Sequence, residues 1–87
     1  KEIIMSEGTV NASLASTREI FIEALKYEAV YIVLLHNHPS GDPTPSGQDI
    51  RITKLIREAG ELVGISLLDH VIIGDCCYVS FREQDLL

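Results

Sequence analysis

The first third of the chain alternates apolar and polar segments in a way that predicts a strand followed by a helix. Glu2–Met5 is apolar enough for a short strand, and the polar residues 6–15 predict a loop. Ser16 and Glu19 have the spacing of a capping box, so a helix should begin there. The apolar positions of that helix recur at three- and four-residue spacing, at Ile20, Phe21, Ala24 and Leu25.

The middle of the chain predicts a second strand, an irregular loop and a second helix. Residues 29–35 (AVYIVLL) are rich in β-branched side chains and lack polar alternation, which favours a strand covered on both faces. Three prolines and a glycine exclude regular structure from residues 37–45. A helix should start near Ser46 and stop at Gly60 or Gly64. Its apolar positions are Ile52, Leu55, Ile56, Ala59 and Leu62.

Two more strands are predicted in the last third, SLLDHVIIG and CCYVSF, with Gly74 and Asp75 as a tight hairpin turn between them. Strands that alternate with helices indicate an α/β domain with a mixed β-sheet flanked by helices. The strands joined by helices should be parallel and the last pair antiparallel. The 87 residues should form one domain, 1–87, and the start at Lys1 suggests truncation at the N-terminus of a longer protein.

The charge and composition of the chain limit the classes of partner that it is expected to bind. The net charge of −6 argues against direct nucleic-acid binding, which needs a basic face. No apolar run is long enough for a membrane span. Cys76 and Cys77 are adjacent and poorly placed to pair, so we interpret them as reduced core thiols of a cytoplasmic protein. The predicted sheet should have exposed edge strands, which are compatible with a homodimer.

The candidate chemistry lies where the second strand ends. His36 and His38 are two residues apart, so both imidazoles can project from one face of a strand. Asp49 falls in the first turn of the next helix, where the helix dipole favours a carboxylate. Two imidazoles and one carboxylate make a three-ligand Zn²⁺ site with a position left for water. Zinc lowers the pKa of bound water to roughly 7, and the nearby Ser46 hydroxyl could stabilise an oxyanion.

Each of these features also has a simpler explanation. Ser46 and Asp49 can be no more than a helix-capping pair, and a His-x-His pair alone is weak evidence for a metal. His70 is most simply a core-edge histidine held by a hydrogen bond, with support of the site or substrate contact as the alternative. A metal-dependent nuclease is disfavoured by the acidic balance, and a zinc nucleotide deaminase by the missing Pro-Cys-x-x-Cys pair.

The segment HNHPSGDPTPSGQD resembles the JAMM motif of the JAB/MPN+ zinc metalloproteases, and EGTVNAS, REIFIEAL and LLDHVIIGD are similar to their bacterial RadC-like branch. The resemblance covers nearly the whole chain and implies a JAB/MPN domain with layering like that of cytidine deaminase. It implies zinc ligation by His36, His38 and Asp49 and oxyanion stabilisation by the catalytic Ser46. It also implies a peptide or protein substrate, since eukaryotic relatives cleave isopeptide bonds, and the branch carries a DNA repair name.

The family also uses a glutamate as general base, from a strand upstream of the segment that matches Lys1–Met5. Glu2 and Glu7 do not match that position well. We therefore expect this chain to bind zinc but to lack its base, at a cost of about 10²–10⁴ in rate. The alternative function is a non-catalytic interaction module of a DNA-repair-associated protein, with a structural or vestigial metal site.

Overall fold

The computed structural model describes residues 5–6, 9–11 and 16–87, which form five strands and two helices. In chain order these are β1 Met5–Ser6, β2 Thr9–Asn11, α1 Thr17–Lys26, β3 Tyr31–Asn37, α2 Gly47–Val63, β4 Ser66–Ile73 and β5 Tyr78–Ser80. Most of the strand predicted at Glu2–Met5 lies outside the described residues.

The strands form one sheet in the order β1-β2-β3-β4-β5. The inner pairs β2–β3 and β3–β4 are parallel, and the outer pairs β1–β2 and β4–β5 are antiparallel. The predicted α/β class with a mixed sheet is confirmed. The prediction of a loop over residues 6–15 is wrong at Ser6, which pairs with Thr9, and at Thr9–Asn11, which pair with Val33–Leu35 of the neighbouring strand.

Both helices begin with the predicted capping boxes. At α1, the Glu19 N–H donates to Ser16 Oγ (3.2 Å) and the Ser16 N–H donates to Glu19 Oε1 (3.1 Å). Ile20 and Ala24 are buried as expected, whereas Leu25 is exposed, so its assignment to the apolar face is wrong. The second helix ends at Gly64, whose φ of 81° is the left-handed conformation that glycine adopts easily.

One apolar core joins the two helices to the central strand. Its buried members are Ile20, Ala24, Ile32, Leu34, Ile56 and Ile65. Burial of each larger aliphatic side chain contributes about 1.5–3 kcal/mol. The opposite face of β3 carries Val33 and Leu35, which are only half-buried. Among the described residues, the strand is thus fully covered on the face toward the helices and partly covered on the other, and this packing holds α2 against the end of β3.

The connection between β4 and β5 differs from the prediction. The turn covers four residues, Gly74 to Cys77, and is closed by a hydrogen bond from the Gly74 N–H to the Cys77 carbonyl (2.9 Å). Cys76 has φ 56°, and both thiols are free and exposed. The interpretation as core thiols on a strand is therefore wrong, because the turn extends through both cysteines and lifts them out of the sheet. Neither described helix is long and apolar enough to cross a membrane.

Candidate metal centre

The two histidines lie at the carboxyl end of β3 and project from the same face. His36 is paired with Ile72 in the parallel register of β3 and β4. The His38 N–H donates to the Ile73 carbonyl (3.0 Å), which continues the pairing beyond the last residue of the strand. The ring centroids are 4.9 Å apart and nearly perpendicular. The strand therefore places both imidazoles together, as the spacing predicted.

Hydrogen bonds fix the loop that leads from His38 to α2. The His38 carbonyl accepts from the Gly41 N–H (3.0 Å), and the Gly41 carbonyl accepts from the Asp75 N–H (2.8 Å). Asp42 Oδ1 accepts from both the N–H (3.0 Å) and the hydroxyl (2.7 Å) of Thr44. Gly41 has φ 87°, which favours glycine. The loop is thus bound to itself and to the β4–β5 turn.

Asp49 reaches the histidines from the first turn of α2. Its N–H donates to Ser46 Oγ (3.1 Å), and its Oδ2 accepts from the Ser46 N–H (2.8 Å). The side chain is almost fully buried, with 5% of the residue exposed. A carboxylate held this way has one fixed orientation, so the capping box also aims a ligand.

The three predicted ligands come together. His36 Nδ1 lies 3.2 Å from Asp49 Oδ1, and His38 Nε2 lies 3.0 Å from Asp49 Oδ2. One ligand atom from each residue lies within 4.8 Å of the other two. Ligand atoms on a tetrahedral Zn²⁺ with bonds of 2.0–2.1 Å are about 3.3 Å apart. The cluster therefore fits a zinc ion with small side-chain adjustments.

The hydrogen bonds of His38 require a proton or a metal ion between its Nε2 and Asp49. His38 Nδ1 lies 2.9 Å from the Asp42 carbonyl, which can only accept, so Nδ1 carries the proton. In the neutral ring Nε2 is then a bare lone pair that faces a carboxylate oxygen. Two lone pairs repel unless a proton or a metal ion lies between them. A histidine that donates its other nitrogen to a carbonyl is the usual arrangement in metal sites.

Electrostatics keep Asp49 ionised. Burial raises the pKa of this carboxyl, but the hydrogen bonds from the Ser46 N–H and hydroxyl and the nearby His36 and His38 outweigh burial. The net result is a pKa of Asp49 below its ordinary value. The site thus presents an anionic oxygen at neutral pH.

A fourth polar residue near the ligands, Thr53, was not predicted. Its hydroxyl oxygen lies 2.8 Å from the Asp49 carbonyl and 2.6 Å from His70 Nδ1. His70 is buried beneath His36, with ring centroids 5.8 Å apart. Burial, followed by the proximity of His36, lowers the pKa of His70 to about 4, so this ring is neutral at physiological pH. This placement agrees with the prediction of a core-edge histidine held by a hydrogen bond.

Ser46 occupies the N-cap of α2, beside Asp49. Its hydroxyl oxygen accepts the Asp49 N–H, and the same hydroxyl interacts with the Asp49 carboxylate, whose pKa it lowers. A role in oxyanion stabilisation stays a prediction. Glu2 and Glu7, the acidic residues weighed as a general base, lie outside the described residues.

Comparison with known proteins identifies a family that is compatible with the observed fold. The family profile described as the RadC-like JAB domain matches residues 1–86, so the chain belongs to this family. That membership confirms the resemblance seen in the histidine segment. JAB domains include metalloproteases, and His36, His38 and Asp49 form a cluster that could hold a metal ion.

The chain is also similar to curated proteins that carry the name UPF0758. It is 54% identical over 83 residues to one from Alkaliphilus metalliredigens, covering 95% of this chain and 36% of the relative. It is 51% identical over 87 residues to one from Pelobacter propionicus (100% and 38%) and 57% identical over 79 residues to one from Enterococcus faecalis (91% and 34%). The chain thus spans only 34–38% of the length of these relatives.

Proposed function

We propose that this domain is a zinc-dependent hydrolase of the JAMM type that cleaves a peptide or isopeptide bond. The observation that carries the proposal is a three-residue ligand cluster with an open side. The side chains of His36 and His38 are 24% and 17% exposed, whereas that of Asp49 is 6% exposed. Structural zinc sites are closed by four protein ligands, while catalytic sites keep one position for water or substrate. Among the described residues, the cluster holds only these three ligand-type side chains.

The composition of the cluster supports zinc over other ions. Imidazole nitrogen suits Zn²⁺ and other late transition metals, whereas Mg²⁺ and Ca²⁺ prefer sites built from oxygen alone. Two neutral imidazoles and one carboxylate leave a bound divalent ion with a net positive charge. Zinc held by His36, His38 and Asp49 would lower the pKa of water and polarise a substrate carbonyl.

The chain's own groups have separate tasks in this proposal. Asp49 stays anionic and fixed, and the Asp42 carbonyl holds His38 in the tautomer that leaves Nε2 unprotonated. The Ser46 hydroxyl would turn its hydrogen from the Asp49 carboxylate to a substrate carbonyl oxygen as negative charge develops there. The resemblance implies a glutamate base from a strand upstream of the segment that matches Lys1–Met5.

A peptide or protein is the substrate class that we propose, and the cytoplasm is the proposed location. The net charge of −6 disfavours contact with a phosphate backbone, whereas a peptide needs no basic face.

Two isosteric substitutions test the proposal in the intact protein. Asp49→Asn removes the anionic ligand, and Asp42→Asn removes an exposed carboxylate of the same loop but keeps the carbonyl that holds His38. We expect about one zinc per chain in the wild type and in Asp42→Asn, together with hydrolysis of an isopeptide-linked substrate. Asp49→Asn should lose both.

Metal analysis and hydrolysis assays of the three proteins separate the outcomes. A wild-type protein without zinc, or equal metal content in Asp49→Asn and Asp42→Asn, would contradict the proposal. Stoichiometric zinc without hydrolysis of any peptide or isopeptide substrate would favour the non-catalytic interaction module instead.

A further inference from the structure

A buried chain of hydrogen bonds connects β4 to the first turn of α2. The Thr53 hydroxyl lies 2.8 Å from the Asp49 carbonyl, one helical turn earlier, and 2.6 Å from His70 Nδ1. These three residues are 2%, 5% and 1% exposed, respectively. The chain runs from the sheet through a helix side chain to the backbone of a metal ligand.

The Asp49 carbonyl, at one end of this series of hydrogen bonds, determines which atom donates in each of them. The Asp49 carbonyl can only accept, so the single Thr53 hydroxyl hydrogen is donated to it. Thr53 Oγ1 must then accept from His70 Nδ1–H. The neutral His70 ring carries its one proton on Nδ1, which leaves Nε2 as a bare lone pair. That nitrogen is buried and has no partner among the described residues.

The His70 ring also contacts a second ligand by stacking. Its plane is 14° from that of His36, with centroids 5.8 Å apart, and Phe81 packs at 4.6 Å and 20°. The backbone under the ring is fixed as well, since the His70 N–H donates to Asp69 Oδ1 (2.7 Å). Asp69 in turn accepts from the Ser80 hydroxyl (2.5 Å), which secures this part of β4 to β5. His70 is therefore a rigid support placed under His36 and joined through Thr53 to Asp49.

We propose that Thr53 and His70 form a positioning pair that sets the metal affinity of the site by fixing the first turn of α2 against the sheet. This inference rests on the proposed function, because it assigns the pair to the same metal site. A purely structural residue would not need an unpartnered buried nitrogen, which costs stability. An aromatic side chain such as phenylalanine could stack at position 70 without that cost. The polar bridge to Asp49 supplies what phenylalanine could not.

Three variants of the intact protein test the pair. Thr53→Val keeps the shape and removes both hydrogen bonds, whereas Thr53→Ser keeps the hydroxyl and removes a methyl group. Ile56→Val is the matched control, because Ile56 is fully buried on the same helix and belongs to the apolar core. Zinc affinity is measured by competition with a chromophoric chelator well below each melting temperature. The Co²⁺-substituted proteins report the geometry of the site through their visible absorption.

We expect Thr53→Val to bind zinc about 10–100-fold more weakly, the usual effect of removing an outer partner of a ligand, and to shift the Co²⁺ spectrum. Thr53→Ser should bind like the wild type. Ile56→Val should lower the melting temperature without changing affinity or spectrum. Folded Thr53→Val that binds zinc as tightly as Thr53→Ser would overturn the inference, as would an equal loss of affinity in Ile56→Val. A wild-type protein that binds no zinc would instead refute the proposed function.

Discussion

Replacing Ser46 by alanine separates its two roles, helix capping and oxyanion stabilisation. The substitution removes the Oγ acceptor of the Asp49 N–H (3.1 Å) but keeps the Ser46 N–H that donates to Asp49 Oδ2 (2.8 Å). The substitution also removes the interaction of the Ser46 hydroxyl with the Asp49 carboxylate, but the Ser46 N–H still orients the ligand. Loss of a serine N-cap costs about 1 kcal/mol, which lowers the melting temperature of a domain this size by about 4–8 °C.

The chain contains its own matched control. Ser16 caps α1 with the same geometry, accepting the Glu19 N–H at 3.2 Å, and lies on the other helix. Ser16→Ala should therefore lose about the same stability. If the Ser46 hydroxyl also donates to the developing oxyanion, kcat of Ser46→Ala should fall about 10²–10³-fold, or about 2.7–4 kcal/mol of transition-state stabilisation. Ser16→Ala should keep its turnover.

The assay is steady-state hydrolysis of an isopeptide-linked substrate by zinc-loaded intact protein, with zinc content and melting temperature measured on the same samples. Ser46→Thr keeps a hydroxyl and should retain most of the activity. If Ser46→Ala and Ser16→Ala turn over at similar rates with full zinc, Ser46 acts as a helix cap alone, and the proposed donation of its hydrogen to the oxyanion is refuted.

Three further predictions concern the metal, the pH and the loop. A chelator should lower the melting temperature of the wild type but not of His38→Ala, because an ion at 100 times its Kd adds about 2.7 kcal/mol to the free energy of unfolding. Calorimetry with and without chelator measures both melting temperatures, and equal shifts in the two proteins would contradict the prediction. Because the pKa of His70 is lowered from 6.5 to about 4, the unfolded chain binds the proton more readily, so stability of the metal-free domain is lost as pH falls through that window. Over a shift from 6.5 to about 4, at about 1.4 kcal/mol per pKa unit, the loss is at most about 3.5 kcal/mol. His70→Phe should flatten the pH dependence of the free energy of unfolding, measured by urea unfolding. Gly74→Ala should destabilise the fold and weaken zinc binding, because the added Cβ would overlap the Gly41 carbonyl. In Gly47→Ala the added Cβ meets no atom within 4 Å, so this control should change neither property. Equal melting temperatures for the two variants would count against this account of the loop.

The elements that local sequence controls were predictable. Each capping box consists of two residues three positions apart, so both helix starts could be predicted from the sequence alone. The His-x-His spacing and the position of Asp49 in a first helical turn likewise brought the candidate ligands together. These features depend on neighbours within one strand or one turn.

The features that were missed depend on distant contacts. Strand β2 is only three residues long and is polar in part, so its pairing with β3 comes from the sheet and not from its own pattern. The cysteines were placed on a strand because their neighbours are apolar, but the left-handed backbone at Cys76 extends the turn. In the sequence Thr53 has no feature that distinguishes it from other helix residues. Its contact with His70 (2.6 Å) exists only because α2 packs on β4.

Asp49 both caps the start of α2 and belongs to the candidate ligand cluster. Folding of the first turn of α2 and binding of an ion should therefore stabilise each other. Fraying of the first turn would withdraw a ligand oxygen, so the opening frequency of that turn bounds the residence time of the ion. Conversely, occupancy should slow amide hydrogen exchange at Asp49 and Ile50, whose N–H groups are bonded to Ser46. Exchange rates at these two amides would therefore report loading of the site without any substrate.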